Sequence, residues 1–265
     1  MSMLHYLNEG HGPLLLLLHG IGSSATAWSK QIERLSGDFS CLAPDLPGYG
    51  ASPDPAAPGL QAIVADIAAL LADRPAHVVG VSFGALCALG LARHRPELVR
   101  SLVLADATLG RATLPDDERE RWLQGRHRLA HELAARSLDR AAEIAGRNAE
   151  PEVVQEIAHH MRRARPAGYM TVANAIAETD ARPWLPGIGK PALIICGEDD
   201  RVTGLEMSRT LVEGLPDARI VTIPAAGHAP HIEQADRFAQ EVRAFLDQHS
   251  ASGDEAGDAA LDPAR

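Results

Sequence analysis

The chain has 265 residues, of which 46% are hydrophobic and 23% are charged, and it carries a net charge of -10. This length is sufficient for one large α/β domain or for a core with an inserted lid. The negative charge argues against nucleic acids and anionic membranes as partners.

The sequence shows no sign of export or membrane insertion. No apolar run reaches the roughly 18 residues that a membrane-spanning helix needs, and the N-terminal residues lack a basic segment and a cleavage pattern. The three cysteines, Cys41, Cys87 and Cys196, lie in apolar stretches rather than in C-x-x-C pairs. We therefore predict buried free thiols in a cytoplasmic protein.

Short apolar runs recur along the chain, and helical patterns separate most of them. Continuous hydrophobicity within a run is typical of a strand buried on both faces of a sheet. The runs are residues 14–18, 41–44, 77–81, 101–105, 192–196 and 219–223. The helical patterns are residues 25–35, 60–71, 85–94, 205–214 and 235–249. This alternation predicts an α/β fold with a mainly parallel sheet and helices on both faces.

The alternation stops over residues 107–185. This stretch lacks a strand-like run and shows helical periodicity over residues 116–138, 138–147 and 152–163. We predict a helical lid inserted over the C-terminal edge of the sheet, so that the core comprises residues 1–106 and 186–249. The tail, residues 250–265, is rich in Ala, Gly and Asp, and we predict that it is disordered.

A serine stands at the centre of a strand–turn–helix pattern. Ser82 follows the third apolar run and precedes an Ala/Leu-rich stretch, with Gly80 and Gly84 two residues to either side. In such a turn the strand and the helix nearly touch, so neither flanking position has room for a side chain. The turn places the hydroxyl at the N-terminal end of the helix. The pattern predicts a catalytic nucleophile; a serine that merely caps the helix is the alternative.

Two later loops carry the partners that a serine nucleophile needs. Asp200 follows the fifth apolar run and His228 follows the sixth, which places both at the carboxyl edge of the sheet. An imidazole can take the serine proton, and a carboxylate fixes the tautomer of the imidazole. The chain order Ser, Asp, His is the one expected for a triad on this topology. Asp106, at the end of the fourth run, and Asp199 are the alternative acids.

An oxyanion hole would complete the site. Residues 19–22 read His-Gly-Ile-Gly directly after the first run, where a loop can turn the N–H of Ile21 toward the serine. The N–H of Phe83, next after the nucleophile, would be the second donor. His159 and His160 are neighbours on a predicted helix and cannot face one metal ion together. No metal and no other cofactor is predicted.

Together these motifs resemble the α/β-hydrolase fold superfamily. The matching segments, in chain order, are residues 19–22, 45–52, 80–84, 197–200 and 227–230. The resemblance implies a serine hydrolase, and the family pattern Gly-x-x-Asp-x-Val favours Asp200 as the triad acid. The sequence before residue 14 leaves room for one strand, where the fold commonly has two.

The resemblance also limits the reaction types that the chain is expected to catalyse. A serine nucleophile excludes the branches of the superfamily that use aspartate, the haloalkane dehalogenases and epoxide hydrolases. Residues 165–182 resemble the lid of 3-oxoadipate enol-lactonases, which implies cleavage of a small ester or lactone through an acyl-enzyme intermediate. The twelve arginines of the predicted lid would suit a carboxylate-bearing substrate, although twelve acidic residues balance their charge.

Other functions remain open from the sequence. Hydrolases that cleave C–C bonds of meta-cleavage products usually have an aromatic residue after the catalytic histidine, and this position is Ala229. Cofactor-free perhydrolysis is a further alternative. A ligand-binding receptor of the same fold is the non-enzymatic alternative, which the complete triad disfavours. The sequence leaves open whether copies of the chain form a homo-oligomer.

Overall fold

The computed structural model describes residues 4–55 and 57–250, and its strands form one seven-stranded sheet. The strands are β1 (Tyr6–Glu9), β2 (Leu14–Leu18), β3 (Ser40–Pro44), β4 (Ala76–Val81), β5 (Val99–Ala105), β6 (Ala192–Gly197) and β7 (Ala218–Ile223). Their order in the sheet is β1-β3-β2-β4-β5-β6-β7. β1 pairs antiparallel with β3, and all other neighbours are parallel. The predicted α/β fold with a mainly parallel sheet is confirmed.

Helices follow most of the strands. They are α1 (Ser29–Leu35), α2 (Leu60–Leu71), α3 (Phe83–His94), α4 (Asp116–Ile144), α5 (Pro151–Arg162), α6 (Pro166–Glu178), α7 (Gly204–Gly214), α8 (Pro230–Glu233) and α9 (Ala235–Ser250). Short 3-10 helices cover Ala25–Trp28, Pro96–Leu98 and Arg182–Gly187. The helix predicted over residues 25–35 is therefore a 3-10 turn that leads into α1.

Both faces of the central strands are covered, because successive side chains of a strand point to opposite sides. Leu16 and Leu18 of β2 pack in one cluster with residues of α2 and α3. Leu15 and Leu17 pack in a second cluster with residues of α1 and α9. All four leucines are fully buried. Burying such a side chain stabilises the fold by about 1.5–3 kcal/mol, which explains the uninterrupted apolar run.

α4, α5 and α6 lie between β5 and β6, in the stretch predicted as a helical insertion. The predicted helix boundary at residue 138 is wrong, since α4 continues unbroken for 29 residues. This helix contains no proline, and its one glycine, Gly125, costs only about 1 kcal/mol of helix stability. α6 was not predicted; it begins with Pro166, whose missing N–H is harmless at a first helical position. A bridge between Gly110 and Asp180 joins the two ends of the insertion.

β7 is less buried than its apolar sequence predicted. It is the last strand in the order, and most of its residues are exposed or half-buried, with Ile220 36% exposed. Ile223 is its buried residue. The prediction of burial on both faces fails here because an edge strand lacks the second neighbour and the full helical cover of a central one.

Within residues 4–55 and 57–250, no helix is both long and apolar enough to cross a membrane. The predicted disordered tail lies outside the described residues except for Ser250, which ends α9. The division of the chain into a core and a lid stays a prediction.

Candidate active site

Ser82 links β4 to α3 in a backbone conformation that L-residues rarely adopt, with φ 55° and ψ -112°. Such a conformation costs on the order of 1–3 kcal/mol. A β-carbon at Gly80 would lie 2.4 Å from the carbonyl oxygen of Gly84, and one at Gly84 would lie 2.0 Å from the carbonyl oxygen of Leu18. Glycine at both positions therefore allows the close approach that holds the turn.

Ser82 and His228 line the same cavity, at the carboxyl edge of the sheet and beneath the insertion. His228 lies in the loop after β7. Its backbone N–H donates to the carbonyl oxygen of Ile144, the last residue of α4, at 2.8 Å. The end of α4, within the insertion, thus supports the histidine loop directly.

Asp200 is the carboxylate that contacts His228. Nδ1 of His228 lies 3.0 Å from Oδ1 of Asp200, whose side chain is fully buried. The carboxylate also accepts the N–H of Val202, at 2.8 Å, and the hydroxyl of Thr203. Burial raises the pKa of Asp200, but the hydrogen bonds from His228 and Thr203 outweigh it and hold the pKa below its usual value. An ionised Asp200 fixes the proton on Nδ1 and leaves Nε2 free to act as a base.

Asp106, the alternative acid, lies beside this pair at the end of β5. A carboxyl oxygen of Asp106, one of Asp200 and a ring nitrogen of His228 lie within 4.8 Å of one another. Oδ1 of Asp106 accepts the N–H of Gly197 at 2.9 Å, whereas Oδ2 has no hydrogen-bond partner in the described part of the chain. Burial, reinforced by the charge of Asp200, raises the pKa of Asp106 well above its usual value.

Asp199, the other alternative acid, points elsewhere. Its carboxylate accepts the backbone N–H of Arg147 at 3.0 Å and forms an ion pair with the guanidinium of the same residue. Asp199 therefore links the β6 loop to the segment that follows α4.

The proposed oxyanion donors flank Ser82. A β-carbon at Gly20 would lie 3.3 Å from the β-carbon of Ser82, so the loop after β2 passes directly beside the serine. Ile21 follows in this loop and lines the cavity. Phe83 is the first residue of α3, where the N–H has no partner within the helix.

His19 holds this loop in place as a neutral side chain. Its Nδ1 donates to the carbonyl oxygen of Gly20 at 2.8 Å, and its Nε2 accepts the N–H of Leu46 at 3.0 Å. Burial lowers the pKa of His19 to about 4, which keeps Nε2 unprotonated and able to accept.

A family model described as the alpha/beta hydrolase fold matches residues 13–235. The chain belongs to the α/β-hydrolase fold family. The family predicted from the sequence is thereby confirmed.

This α/β hydrolase is 33% identical over 251 residues to the pimeloyl-[acyl-carrier protein] methyl ester esterase of Chromobacterium violaceum, covering 90% of this chain and 96% of the relative. It is 27% identical over 256 residues to 3-oxoadipate enol-lactonase 2 of Acinetobacter baylyi, covering 92% of each. A thermophilic esterase from Thermogutta terrifontis, solved with malate bound, superposes with a TM-score of 0.85 at 27% identity over 94% of each chain. The predicted enzyme class, an α/β-fold hydrolase, is confirmed.

Sequence reasoning missed one residue that positions the histidine loop of this hydrolase. The carboxylate of Glu233 accepts the N–H groups of Gly146, Gly227 and Ala229, at 2.6, 3.0 and 3.0 Å. These groups come from the segment between α4 and α5 and from both sides of His228. The signal in the sequence is Pro230, a typical first helical residue, with a glutamate in the same first turn.

Proposed function

We propose that this α/β hydrolase cleaves a small carboxylic ester or lactone through an acyl-enzyme intermediate. Ser82 is the nucleophile, His228 the general base and Asp200 the residue that orients the histidine. The observation that carries the proposal is the buried Asp200–His228 hydrogen bond beside the cavity that Ser82 lines.

The first half-reaction transfers the acyl group to the enzyme. Nε2 of His228 takes the hydroxyl proton as Oγ of Ser82 attacks the ester carbonyl carbon. The N–H groups of Ile21 and Phe83 donate to the oxyanion of the tetrahedral intermediate, and each such donor is typically worth about 3 kcal/mol of transition-state stabilisation. The intermediate collapses when the C–O bond breaks and His228 returns its proton to the departing alkoxide.

The second half-reaction releases the acid. His228 takes a proton from a water molecule, which attacks the acyl carbon. The second tetrahedral intermediate then expels Oγ of Ser82, which regains its proton from His228. For a lactone, the alcohol and the acid are two ends of one product.

The relatives support the choice of an ester or a lactone as substrate. One is named a methyl ester esterase and another an enol-lactonase, and both align over nearly the whole chain. The insertion covers the cavity, which favours a substrate small enough to lie beneath it.

Replacing Ser82 by alanine tests the proposal. We expect Ser82→Ala to lower kcat/KM for a short-chain p-nitrophenyl ester by at least about 10⁴-fold, because no other group can form the acyl-enzyme. A sulfonyl fluoride should attach one sulfonyl group to each molecule of the unchanged protein and none to the variant, as measured by mass spectrometry. Ser29→Ala, at the start of α1 and outside the cavity, is the matched control and should keep both activity and labelling. Activity or labelling that survives in Ser82→Ala would overturn the nucleophile assignment.

A further inference from the structure

Three arginines of the insertion line the same cavity as Ser82, and one of them, Arg140, forms an ion pair with Glu143. Arg111 and Arg126 both line it, and both are half-buried. The guanidinium carbon of each lies 5.0 Å from the ring centroid of Trp122. Nη1 of Arg126 also donates to the hydroxyl of Tyr169 at 3.2 Å. These contacts hold both cations against one wall of the cavity.

Arg111 and Arg126 differ from the other arginines of the insertion in their lack of a counter-charge. Most of the others form ion pairs with carboxylates: Arg119, Arg121, Arg136, Arg140, Arg147, Arg165 and Arg182. The remaining ones are exposed to solvent: Arg128, Arg162 and Arg163. Among residues 4–55 and 57–250, Arg111 and Arg126 are thus the half-buried arginines of the insertion that have no carboxylate partner.

Two neighbouring cations without a counter-charge are electrostatically unfavourable. Burial lowers the pKa of Arg111, and the charge of Arg126 lowers it further. A guanidinium nevertheless stays protonated in proteins, so both positive charges remain. An anion that enters the cavity would relieve the repulsion and replace the hydration that both groups have lost.

The backbone fixes the position of the pair. The N–H of Arg111 donates to the carbonyl oxygen of Ile176 at 2.8 Å, next to the bridge that joins the two ends of the insertion. Nε1 of Trp122 is a further buried donor without a partner in the described residues. The cluster therefore offers a group of preorganised hydrogen-bond donors, and no carboxylate of the described residues pairs with its two guanidinium groups.

We propose that Arg111 and Arg126 form a carboxylate-binding subsite, so that the preferred substrate is an ester or lactone that carries a second, free carboxylate. This proposal rests on the proposed function, because the ester must reach Ser82 in the same cavity. The reacting carbonyl lies at the core side, beside Ser82 and Ile21, and the carboxylate lies at the insertion side. A planar carboxylate matches the fork of guanidinium donors.

Matched substrates test the subsite. Methyl hydrogen adipate and methyl hexanoate have chains of the same length, and only the first carries a carboxylate. We expect the unchanged enzyme to prefer methyl hydrogen adipate in kcat/KM. Arg111→Gln and Arg126→Gln should each lower kcat/KM for it by about tenfold or more, mainly through KM, and should change the value for methyl hexanoate less than about twofold.

Arg128→Gln is the matched control, because it removes a positive charge from an exposed site on the same helix as Arg126. We expect this variant to leave both substrates unaffected. Equal losses on both substrates in Arg111→Gln and Arg126→Gln, or no preference in the unchanged enzyme, would overturn the proposal. Should Arg111→Gln fail to fold, Arg126→Gln decides the outcome alone.

Two further measurements test the chemical class of the bound anion and separate failure of the subsite from failure of the proposed function. Methyl 5-phosphonopentanoate has the same chain with a phosphonate, and a preference for it over methyl hydrogen adipate would overturn the assignment to a carboxylate. Hydrolysis of methyl hexanoate that depends on Ser82 shows that the proposed function holds even where the subsite fails. Hydrolysis of both esters that does not depend on Ser82 would instead remove the proposed function and the subsite together.

Discussion

Two buried carboxyl groups lie beside His228, and their surroundings shift their pKa values in opposite directions. Asp200 accepts several hydrogen bonds, which lower its pKa despite burial. Asp106 receives one N–H on Oδ1, and burial together with the charge of Asp200 raises its pKa. Environments that push neighbouring carboxyl groups apart in pKa are typical of active sites. The ionised group, Asp200, is suited to stabilise an imidazolium.

The first prediction at the residue scale concerns the identity of the triad acid. Asp200→Asn should lower kcat by about 10³–10⁴-fold, because an amide cannot hold the histidine tautomer or stabilise its charge. Asp106→Asn should keep kcat within a few fold, since an amide can still accept the N–H of Gly197. Steady-state hydrolysis of a neutral ester measures both. The reverse ranking would transfer the acid role to Asp106.

The second prediction concerns stability against pH. Asp106 has a raised pKa in the folded protein, so its contribution to the free energy of unfolding is complete below the unfolded pKa of about 4. That contribution falls as the pH rises toward the folded pKa, because the unfolded chain then loses the proton first. Asp106→Asn has no such proton. Its Tm relative to the unchanged protein should therefore rise as the pH increases above about 4, the unfolded pKa.

Thermal unfolding of both proteins across this pH range checks the second prediction. Asp139→Asn, at an exposed site on α4, controls for the loss of one carboxyl group. A Tm difference for Asp106→Asn that stays constant with pH would contradict a protonated Asp106.

At the scale of elements, the short helix α8 connects the histidine loop to the insertion. Glu233 accepts N–H groups from Gly227 and Ala229, which flank His228, and from Gly146, which follows α4. A β-carbon at Gly227 would lie 2.3 Å from the carbonyl oxygen of Ile144, so the two segments are in close contact. The position of His228, the proposed general base, therefore depends on the insertion as well as on β7.

We expect Glu233→Gln to lower kcat by about tenfold with little change in KM, because an amide group cannot accept all three N–H groups and His228 loses its fixed position. The free energy of unfolding should fall by about 1–3 kcal/mol. Hydrolysis kinetics and denaturant unfolding measure the two effects. Glu206→Gln, at an exposed site in the first turn of α7, is the control. Unchanged kcat in a destabilised Glu233→Gln would assign the residue a purely structural role.

The predicted elements agree with the structure where the signal is local. The hydrophobic pattern gave the bounds of α2 and β2 and placed the other predicted strands to within two residues, since buried strands and amphipathic helices each impose their own spacing. The exposure of β7 and the continuity of α4 were predicted wrongly. Both depend on neighbours distant in sequence. An apolar run does not reveal that its strand lies at the edge of the sheet. A change in the direction of the apolar face along a helix does not reveal whether the helix ends there or continues.

At the scale of the whole molecule, the insertion contacts the rest of the chain on two sides. On one side, the end of α4 supports the His228 loop. On the other, Arg165 donates to the carbonyl oxygens of Gly48 and Ser52, at 3.0 and 2.7 Å. Gly168 lies against the same loop, where a β-carbon would lie 1.9 Å from the carbonyl oxygen of Gly48.

Two glycines in the helices of the insertion make a matched pair for testing this attachment. Gly168→Ala should lower the free energy of unfolding by about 1–3 kcal/mol, because its methyl group overlaps the backbone of the core. Gly125→Ala, where nothing lies within 4 Å of the added atom, should instead raise it by about 0.5–1 kcal/mol. Denaturant unfolding of both variants measures the difference. Equal effects would show that the insertion does not press on the core at Gly168.

The sequence by itself determined the class of fold, the family and the candidate nucleophile, because each rests on residues a few positions apart. The turn around Ser82 needs two small residues at fixed spacing, and the pattern of the neighbouring residues predicts its strand and its helix. The tertiary structure decided which acid contacts His228, which glutamate supports that loop, and which arginines face the cavity. These relations join segments far apart in sequence, and packing alone sets the distances between their side chains.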